Sequence, residues 1–154
     1  MFYEVFKVAL TAAMPVSELR GAIPLGLLYF KLPLWVVLSV SIPANILVPF
    51  IFFLTLDFIE KFLSRVPVGR YVIDKILSRA RKKSKKIENY EFWGLVFFVA
   101  IPLPMTGAWT GATVAYVLEM NPKKTFIALT IGVVIASIVV SILTLTGKTF
   151  SHLF

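Results

Sequence analysis

Two long stretches of the sequence contain no charged residue, and they constrain the fold more than any other feature. They cover residues 32–56 and 125–146. Each is longer than the roughly 20 helical residues that cross a hydrocarbon core of about 30 Å. The whole chain is 58% hydrophobic, with a mean hydropathy of +0.88, which is more apolar than soluble domains are. We therefore predict an all-α integral membrane protein with transmembrane helices over residues 33–63 and 123–147.

The positive charge is concentrated in one segment between these stretches. The net charge is +8, and ten of the sixteen Lys and Arg residues lie between positions 61 and 86. Basic residues beside transmembrane helices mark the cytoplasmic side, so this distribution indicates membrane topology rather than nucleic-acid binding. Apolar residues such as Val72, Ile73 and Ile76 follow helical spacing within it. We predict a basic amphipathic cytoplasmic helix over residues 64–90, in a multi-pass protein of the cytoplasmic membrane.

Two other apolar segments, residues 2–30 and 92–119, have the length of a span but are interrupted near their centres. The first is broken at residues 14–21 and the second at residues 102–107, where proline and glycine are concentrated. A continuous helix there would leave backbone groups unpaired in lipid, because proline removes a donor. The pieces on either side have about ten residues, roughly 15 Å, which is half the hydrocarbon core. Each segment is therefore predicted to form a re-entrant helical hairpin that enters and leaves on one face.

Two lysines support this prediction for the second segment. If residues 92–119 crossed the membrane, Lys123 and Lys124 would lie opposite the basic segment. If the segment turns back, they lie with it on the cytoplasmic side, as the positive-inside rule prefers. Both termini are then expected to be extracellular.

The two halves of the chain contain the same features in the same order, about 90 residues apart. A hairpin is followed by a transmembrane helix each time, so the second unit must run opposite to the first. This is an inverted repeat, the arrangement of many secondary transporters, whose sites lie where broken helices meet. We predict one membrane domain over residues 1–154, with repeats at 1–63 and 91–154. The residues expected to shape the hairpins are Pro15, Gly21, Pro24, Pro102, Pro104, Gly107 and Gly111. Gly107 and Gly111 also have the spacing that allows a close contact between helices.

Glu18 and Arg20 lie at the predicted tip of the first hairpin, inside the apolar region. A charged side chain at membrane depth costs about 2.5 to 3.5 kcal/mol on insertion scales, so such residues usually have a compensating role. In one interpretation the pair is structural, because the charges neutralise each other or cap exposed hairpin backbone. In the other the pair is functional: the Arg20 guanidinium binds an anionic group, and Glu18 takes up and releases a proton. The sequence favours the functional interpretation and leaves the structural one open.

The second hairpin and the first transmembrane helix contribute uncharged polar residues. Thr106 is predicted to be the N-cap of the helix that follows it, and the free N–H groups of a half-helix N-terminus can also bind an anion. Asn45 lies between two prolines, where its amide either bonds carbonyls freed by the prolines or faces the transport pathway. The predicted substrate-binding or proton-binding residues are Glu18, Arg20, Asn45, Thr106, Trp109 and Thr110.

The sequence disfavours an enzyme and a resident metal or cofactor. It has no cysteine, and its single histidine, His152, has no second imidazole with which to share a metal. The hairpin hydroxyls of Ser17, Thr106 and Thr110 have no intramembrane histidine or lysine beside them to activate a nucleophile. We expect no metal site, no cofactor and no catalytic activity.

Two motifs in this chain resemble the small multidrug export family of prokaryotic membrane proteins. They are Ser-Glu-Leu-Arg-Gly-Ala-Ile-Pro-Leu-Gly at 17–26 and Pro-Leu-Pro-Met-Thr-Gly-Ala-Trp-Thr-Gly-Ala at 102–112. That family is similar in turn to the DedA family, which implies paired re-entrant hairpins and transport of lipid carriers such as polyprenyl phosphate. By position, Glu18 corresponds to an acidic residue of the first DedA hairpin, and Pro102 lies in the proline-containing motif of the second. DedA proteins have arginines around that proline, whereas this chain has Val99 and Met105 there.

These features together predict a transport protein. The main hypothesis is a DedA-like transporter or lipid translocase, coupled to protons, that moves an anionic lipid carrier or a small amphiphile. The alternative is a small multidrug exporter of cationic amphiphiles, and a non-transporting membrane scaffold is a further class. The expected partners are membrane lipids, the substrate and protons, with no nucleic acid. A homodimer is also expected, because two transmembrane helices give the broken helices little lateral cover.

Overall fold

The computed structural model of the protein describes residues 1–63, 88–103 and 106–151. These ranges contain helices and short loops and no strand, which confirms the predicted all-helical fold class for them. The predicted amphipathic helix over residues 64–90 lies outside the described ranges, except for three residues that begin a later helix. In chain order the helices are α1 (Phe2–Ala13), α2 (Glu18–Pro24) with a following π-helical turn (Leu25–Tyr29), α3 (Leu34–Leu63), α4 (Glu88–Ala100), α5 (Ala108–Val117) and α6 (Pro122–Ser151).

The two long helices, α3 and α6, have 30 residues each, or about 45 Å. Their apolar windows, Leu34–Leu56 and Pro122–Gly147, have mean hydropathies of 2.2 and 2.8 and are long and apolar enough to cross a membrane. Only 33% and 44% of these windows are buried inside the chain, whereas the core helix of a soluble protein would be mostly buried. More than half of each window is therefore at least partly exposed on the surface of the chain, as in helices that contact lipid.

Over their described residues, the other helices are too short to cross a hydrocarbon core. Helix α1 has 12 residues and the described part of α4 has 13, which is about 18 to 20 Å, against a core of about 30 Å. Helix α5 has 10 residues. Each of these short helices packs against a long helix, α1 and α5 on α3 and α4 on α6.

The break between α1 and α2 is shorter than the sequence predicted. It covers only residues 14–17, and Glu18, Arg20 and Gly21 lie in the first turns of α2 rather than in the predicted loop. The helix resumes at once because the Glu18 N–H donates to the Met14 carbonyl (3.1 Å) and the Gly21 N–H to that of Ser17 (2.9 Å). We call residues 14–17 the first break and residues 101–107 the second break.

The two halves of the chain end their second short helix in the same way. Lys31 and Glu119 both have left-handed backbone conformations, with φ of 53° and 56°. Each is followed by a buried apolar residue, Leu32 or Met120, whose N–H bonds back to a carbonyl of the preceding helix. Such a left-handed residue ends a helix and satisfies its free carbonyls. The two endings are about 90 residues apart, which is the offset seen in the sequence.

Glycine allows close packing of the second short helix in both halves. A Cβ on Gly26 would lie 2.6 Å from Cγ2 of Val37 in α3 and 3.3 Å from Cγ2 of Val8 in α1. A Cβ on Gly111 would lie 2.6 Å from Cγ2 of Val99 in α4, and Leu129 in α6 is 3.3 Å away. The second short segment of each half is thus held between the first helix of that half and its long helix.

Candidate functional site

Glu18 connects the two breaks. Glu18 is 6% exposed. Its Oε1 atom accepts a hydrogen bond from the backbone N–H of Trp109 at 3.2 Å. A Cβ on Gly107 would overlap the carboxylate, lying 2.6 Å from its Cδ atom. The carboxylate therefore lies directly over the N-terminus of α5, where free N–H groups and the helix dipole stabilise negative charge.

Thr106 is not the N-cap of α5, so that prediction is wrong. The N-cap is Gly107, which makes no side-chain capping bond and has φ of 157°. The Thr106 hydroxyl lies one residue earlier and 2.8 Å from the carbonyl oxygens of both Ile101 and Leu103, and it accepts from the Leu103 N–H at 3.2 Å. Its bonds thus stabilise the turn of the second break. The capping position takes glycine because the Glu18 carboxylate occupies the space that a side chain would need.

Arg20 also reaches from the first half of the chain to the second break. Its Nη1 donates a hydrogen bond to the backbone carbonyl of Leu103. Its Nη2 lies 3.6 Å from Oε2 of Glu18, which is too long for a hydrogen bond but close enough for charge attraction. Arg20 is therefore anchored mainly by the carbonyl and only loosely paired with the carboxylate.

Trp109 makes the reciprocal contact. Its indole Nε1–H donates to the carbonyl of Ala13, the last residue of α1, at 3.0 Å. The ring also packs against Phe52 of α3, with centroids 5.1 Å apart. Each break thus receives backbone-capping groups from the other half, and those bonds matter most where water is excluded.

The remaining predicted residues are distributed around this contact. Thr110 is satisfied within its own helix, because its hydroxyl donates to the Gly107 carbonyl at 3.2 Å. Pro15 is exposed in the first break, and Pro24 ends α2 where the π-helical turn begins. Pro104 lies outside the described residues.

Asn45, in helix α3, lines the same cavity as Glu18 and Arg20. The residue is 2% exposed, and its Oδ1 atom has no hydrogen-bond partner among the described residues. It lines a cavity of about 10 Å³ together with Glu18, Arg20, Pro102 and Gly107. The structure therefore brings together Glu18, Arg20, Asn45 and Trp109, with Thr106 and Thr110 at the edge.

Comparison with known proteins identifies the family of this chain. Residues 18–139, most of its length, match the sequence model of the family described as "Putative small multi-drug export protein". The chain belongs to this family. No curated protein and no solved structure matches it significantly. Together with the two apolar helices, membership of the small multidrug export family makes this a membrane protein, while the predicted similarity to DedA proteins stays a prediction.

The family match begins at Glu18 and includes every described residue that this carboxylate and Arg20 contact in the second half of the chain. Sequence reasoning missed the backbone partners of the site residues in this family member. These partners are the carbonyls of Ala13 and Leu103 and the N–H of Trp109. Backbone groups are present at every position, so nothing in the sequence distinguishes these three. Within the described ranges there is no cluster of three or more His, Asp or Glu residues that could hold a metal ion.

Proposed function

We propose that the protein exports small amphiphilic cations across the membrane, and that Glu18 alternately binds the cation and a proton. The observation that carries the proposal is a buried carboxylate, only loosely paired with Arg20, at the contact between two broken helices. Membership of the small multidrug export family supports the substrate class. Ionisable residues at membrane depth usually mark a transport or proton pathway.

We further propose the membrane arrangement that this function needs. Helices α1 with α2 and α4 with α5 form two re-entrant hairpins, and α3 and α6 are the spanning helices of an inverted repeat. The short lengths of α1 and α4, the matching helix ends at Lys31 and Glu119, and the contact between the breaks support this arrangement. The basic segment at residues 64–90 is cytoplasmic and both termini are extracellular.

The proposed cycle depends on what holds Glu18 in place. The ionised carboxylate accepts a hydrogen bond from α5 and attracts Arg20, and both interactions weaken when it is protonated. A proton arriving at Glu18 therefore loosens the contact between the breaks and displaces a bound cation. Export of the cation in exchange for a proton follows from this competition for a single carboxylate.

One observation favours a second candidate, the translocation of an anionic lipid carrier. The Arg20 side chain is 28% exposed, and its guanidinium has five N–H donors, which suit a phosphate. Protonation of Glu18 would then leave Arg20 and the α5 N-terminus free to attract an anion. The two candidates make opposite predictions for the charge of the substrate.

The test uses the full chain reconstituted in vesicles with a proton gradient. Transport of tetraphenylphosphonium, a lipophilic cation, is measured for the wild-type protein and for Glu18→Gln, which keeps the shape and removes the charge. We expect gradient-driven flux in the wild type and a loss of at least about a hundredfold in the variant, the lower range for removal of a positioned acid–base group.

The matched control is Glu4→Gln, which removes the only other described carboxylate of α1 and α2, one that pairs with the N-terminus. It should retain wild-type flux. Flux of the cation that persists in Glu18→Gln would contradict the proposal. Flux of a short-chain polyprenyl phosphate, with none of tetraphenylphosphonium, would establish the second candidate instead.

A further inference from the structure

Asn45 presents an unusual polar atom in the interior. Its Oδ1 is buried and has no hydrogen-bond partner among the described residues. A buried polar atom left in this way costs about 1 to 3 kcal/mol. In the part of the chain that the structure describes, Oγ1 of Thr125 is the one other buried side-chain atom of this kind.

Other buried polar side chains of the long helices are satisfied locally. Each hydroxyl donates to a backbone carbonyl three or four residues earlier in its own helix, so none depends on a group from elsewhere in the fold. These residues are Ser41 in α3 and Ser137, Ser141 and Thr144 in α6. The position of Asn45 therefore requires a different explanation, and the cavity beside it provides one.

The cavity beside Asn45 has the size and chemistry of a site for one water molecule. Its volume is about 10 Å³, and a polar cavity of about 10 to 15 Å³ holds one water. The polar residues that line it are Glu18, Arg20 and Asn45. The other lining residues, which include Val99, Pro102 and Val133, are apolar.

The lining groups favour water over a metal ion. Hard cations bind six or more oxygen ligands in most protein sites, and only two side chains here offer oxygen, next to the positive charge of Arg20. Both of those side chains present acceptors, and a water molecule has two protons to donate. Glu18 and Arg20 are the titratable side chains that face this cavity from the described elements around it.

We propose that the cavity binds one water molecule, which donates one hydrogen bond to Oδ1 of Asn45 and one to the carboxylate of Glu18. This water passes the proton between Glu18 and the solvent that reaches the cavity beside the 28% exposed Arg20 side chain. The water site stands on geometry alone, whereas its role as proton carrier rests on the proposed function. Asn45 is accordingly a positioning residue that acts on Glu18 through the water.

The first experiment is a crystal structure of the full protein in a lipid phase, at a resolution that shows ordered water. It is compared with the variants Asn45→Leu, which removes the amide at similar size, and Thr125→Val, which removes the other unpartnered atom away from the cavity. We expect density about 2.7 to 3.0 Å from both Asn45 Oδ1 and a Glu18 oxygen, kept in Thr125→Val and lost in Asn45→Leu. An Asn45 bonded directly to protein, or a cavity without density in the wild type, would overturn the site.

The second experiment measures proton release when tetraphenylphosphonium is added to the purified protein, with a pH-sensitive dye. We expect release to slow by about tenfold or more in Asn45→Leu and to be unchanged in Thr125→Val. If Glu18→Gln abolishes release but Asn45→Leu releases protons at the wild-type rate, the water relay is wrong and the proposed function stands. If Glu18→Gln has no effect on release, the proposed function fails, and the water site is judged by the density alone.

Discussion

The two breaks face the same physical problem, which is to satisfy the backbone groups left unpaired at the ends of short helices. The first break has four residues and is closed largely by its own backbone bonds. The second break has seven residues, and its ends receive the Glu18 carboxylate and the Arg20 guanidinium from the other half of the chain. In return the carbonyl of Ala13, directly before the first break, receives the indole N–H of Trp109.

The difference between the breaks gives a reason for the position of Glu18 and Arg20 in the first half of the chain. The longer second break presents a helix N-terminus and the Leu103 carbonyl to the first half of the chain, and a carboxylate and a guanidinium match these two groups. Since the same two side chains line the cavity with Asn45, the structural and functional interpretations of Glu18 and Arg20 are compatible. The ionised Glu18 carboxylate caps helix α5 of the second half, and the protonated carboxyl group is able to release that helix.

The largest expected effect comes from changing the glycine under the Glu18 carboxylate. Gly107→Ala places a Cβ inside the space of that carboxylate, at a backbone conformation that side chains rarely adopt. We expect a loss of about 3 kcal/mol or more in the free energy of unfolding, measured by denaturation in detergent. Gly94→Ala is the control, because its Cβ meets nothing within 4 Å and should stabilise α4 by about 0.5 to 1 kcal/mol. Equal effects at the two glycines would contradict the described contact.

The next largest loss of stability tests whether Glu18 and Arg20 stabilise the contact between the two breaks jointly. Arg20→Met removes one donor from the Leu103 carbonyl, which keeps the Thr106 N–H at 3.1 Å, and leaves the buried Glu18 charge without its counter-charge. This loss should cost about 2 to 3 kcal/mol. Combining it with Glu18→Gln should recover part of this loss, with a coupling of about 1 kcal/mol or more in a double-mutant cycle of unfolding free energies. Strict additivity would show that the two side chains stabilise the breaks independently.

A smaller effect tests the similarity of the halves. Gly26→Ala and Gly111→Ala each introduce a Cβ 2.6 Å from a valine methyl, in Val37 and Val99 respectively. Both should destabilise by about 1 to 3 kcal/mol. Pairing them with Val37→Ala and Val99→Ala should restore part of the stability, because the methyl that blocks the new Cβ is removed. A large loss in one half and none in the other would argue against equivalent packing.

The smallest effect concerns the contact that runs from the second half to the first. Trp109→Phe keeps an aromatic ring beside Phe52 but removes the N–H that bonds the Ala13 carbonyl. We expect a loss of about 1 kcal/mol in unfolding free energy. Trp93→Phe, at a residue 55% exposed, is the control and should change stability by less than about 0.5 kcal/mol.

The sequence by itself determined the helical architecture and the two long helices, because uncharged apolar stretches of that length have one stable solution in a membrane. It also located both breaks, since proline and glycine act locally on the backbone. It misplaced the end of the first break, because backbone bonds from Glu18 to Met14 and from Gly21 to Ser17 restart the helix at Glu18. It misassigned Thr106 as an N-cap, because the cap of α5 comes from Glu18 in the distant first half.

Only the tertiary structure decided which groups meet between the halves. The bonds from Arg20 to Leu103 and from Trp109 to Ala13 join positions more than eighty residues apart and end on backbone atoms. Every residue has a backbone carbonyl, so the sequence does not show which carbonyls lack a partner. That depends on where the helices end and on whether water reaches those ends. For the same reason the sequence placed Asn45 deep in a helix, while the fold placed it beside Glu18.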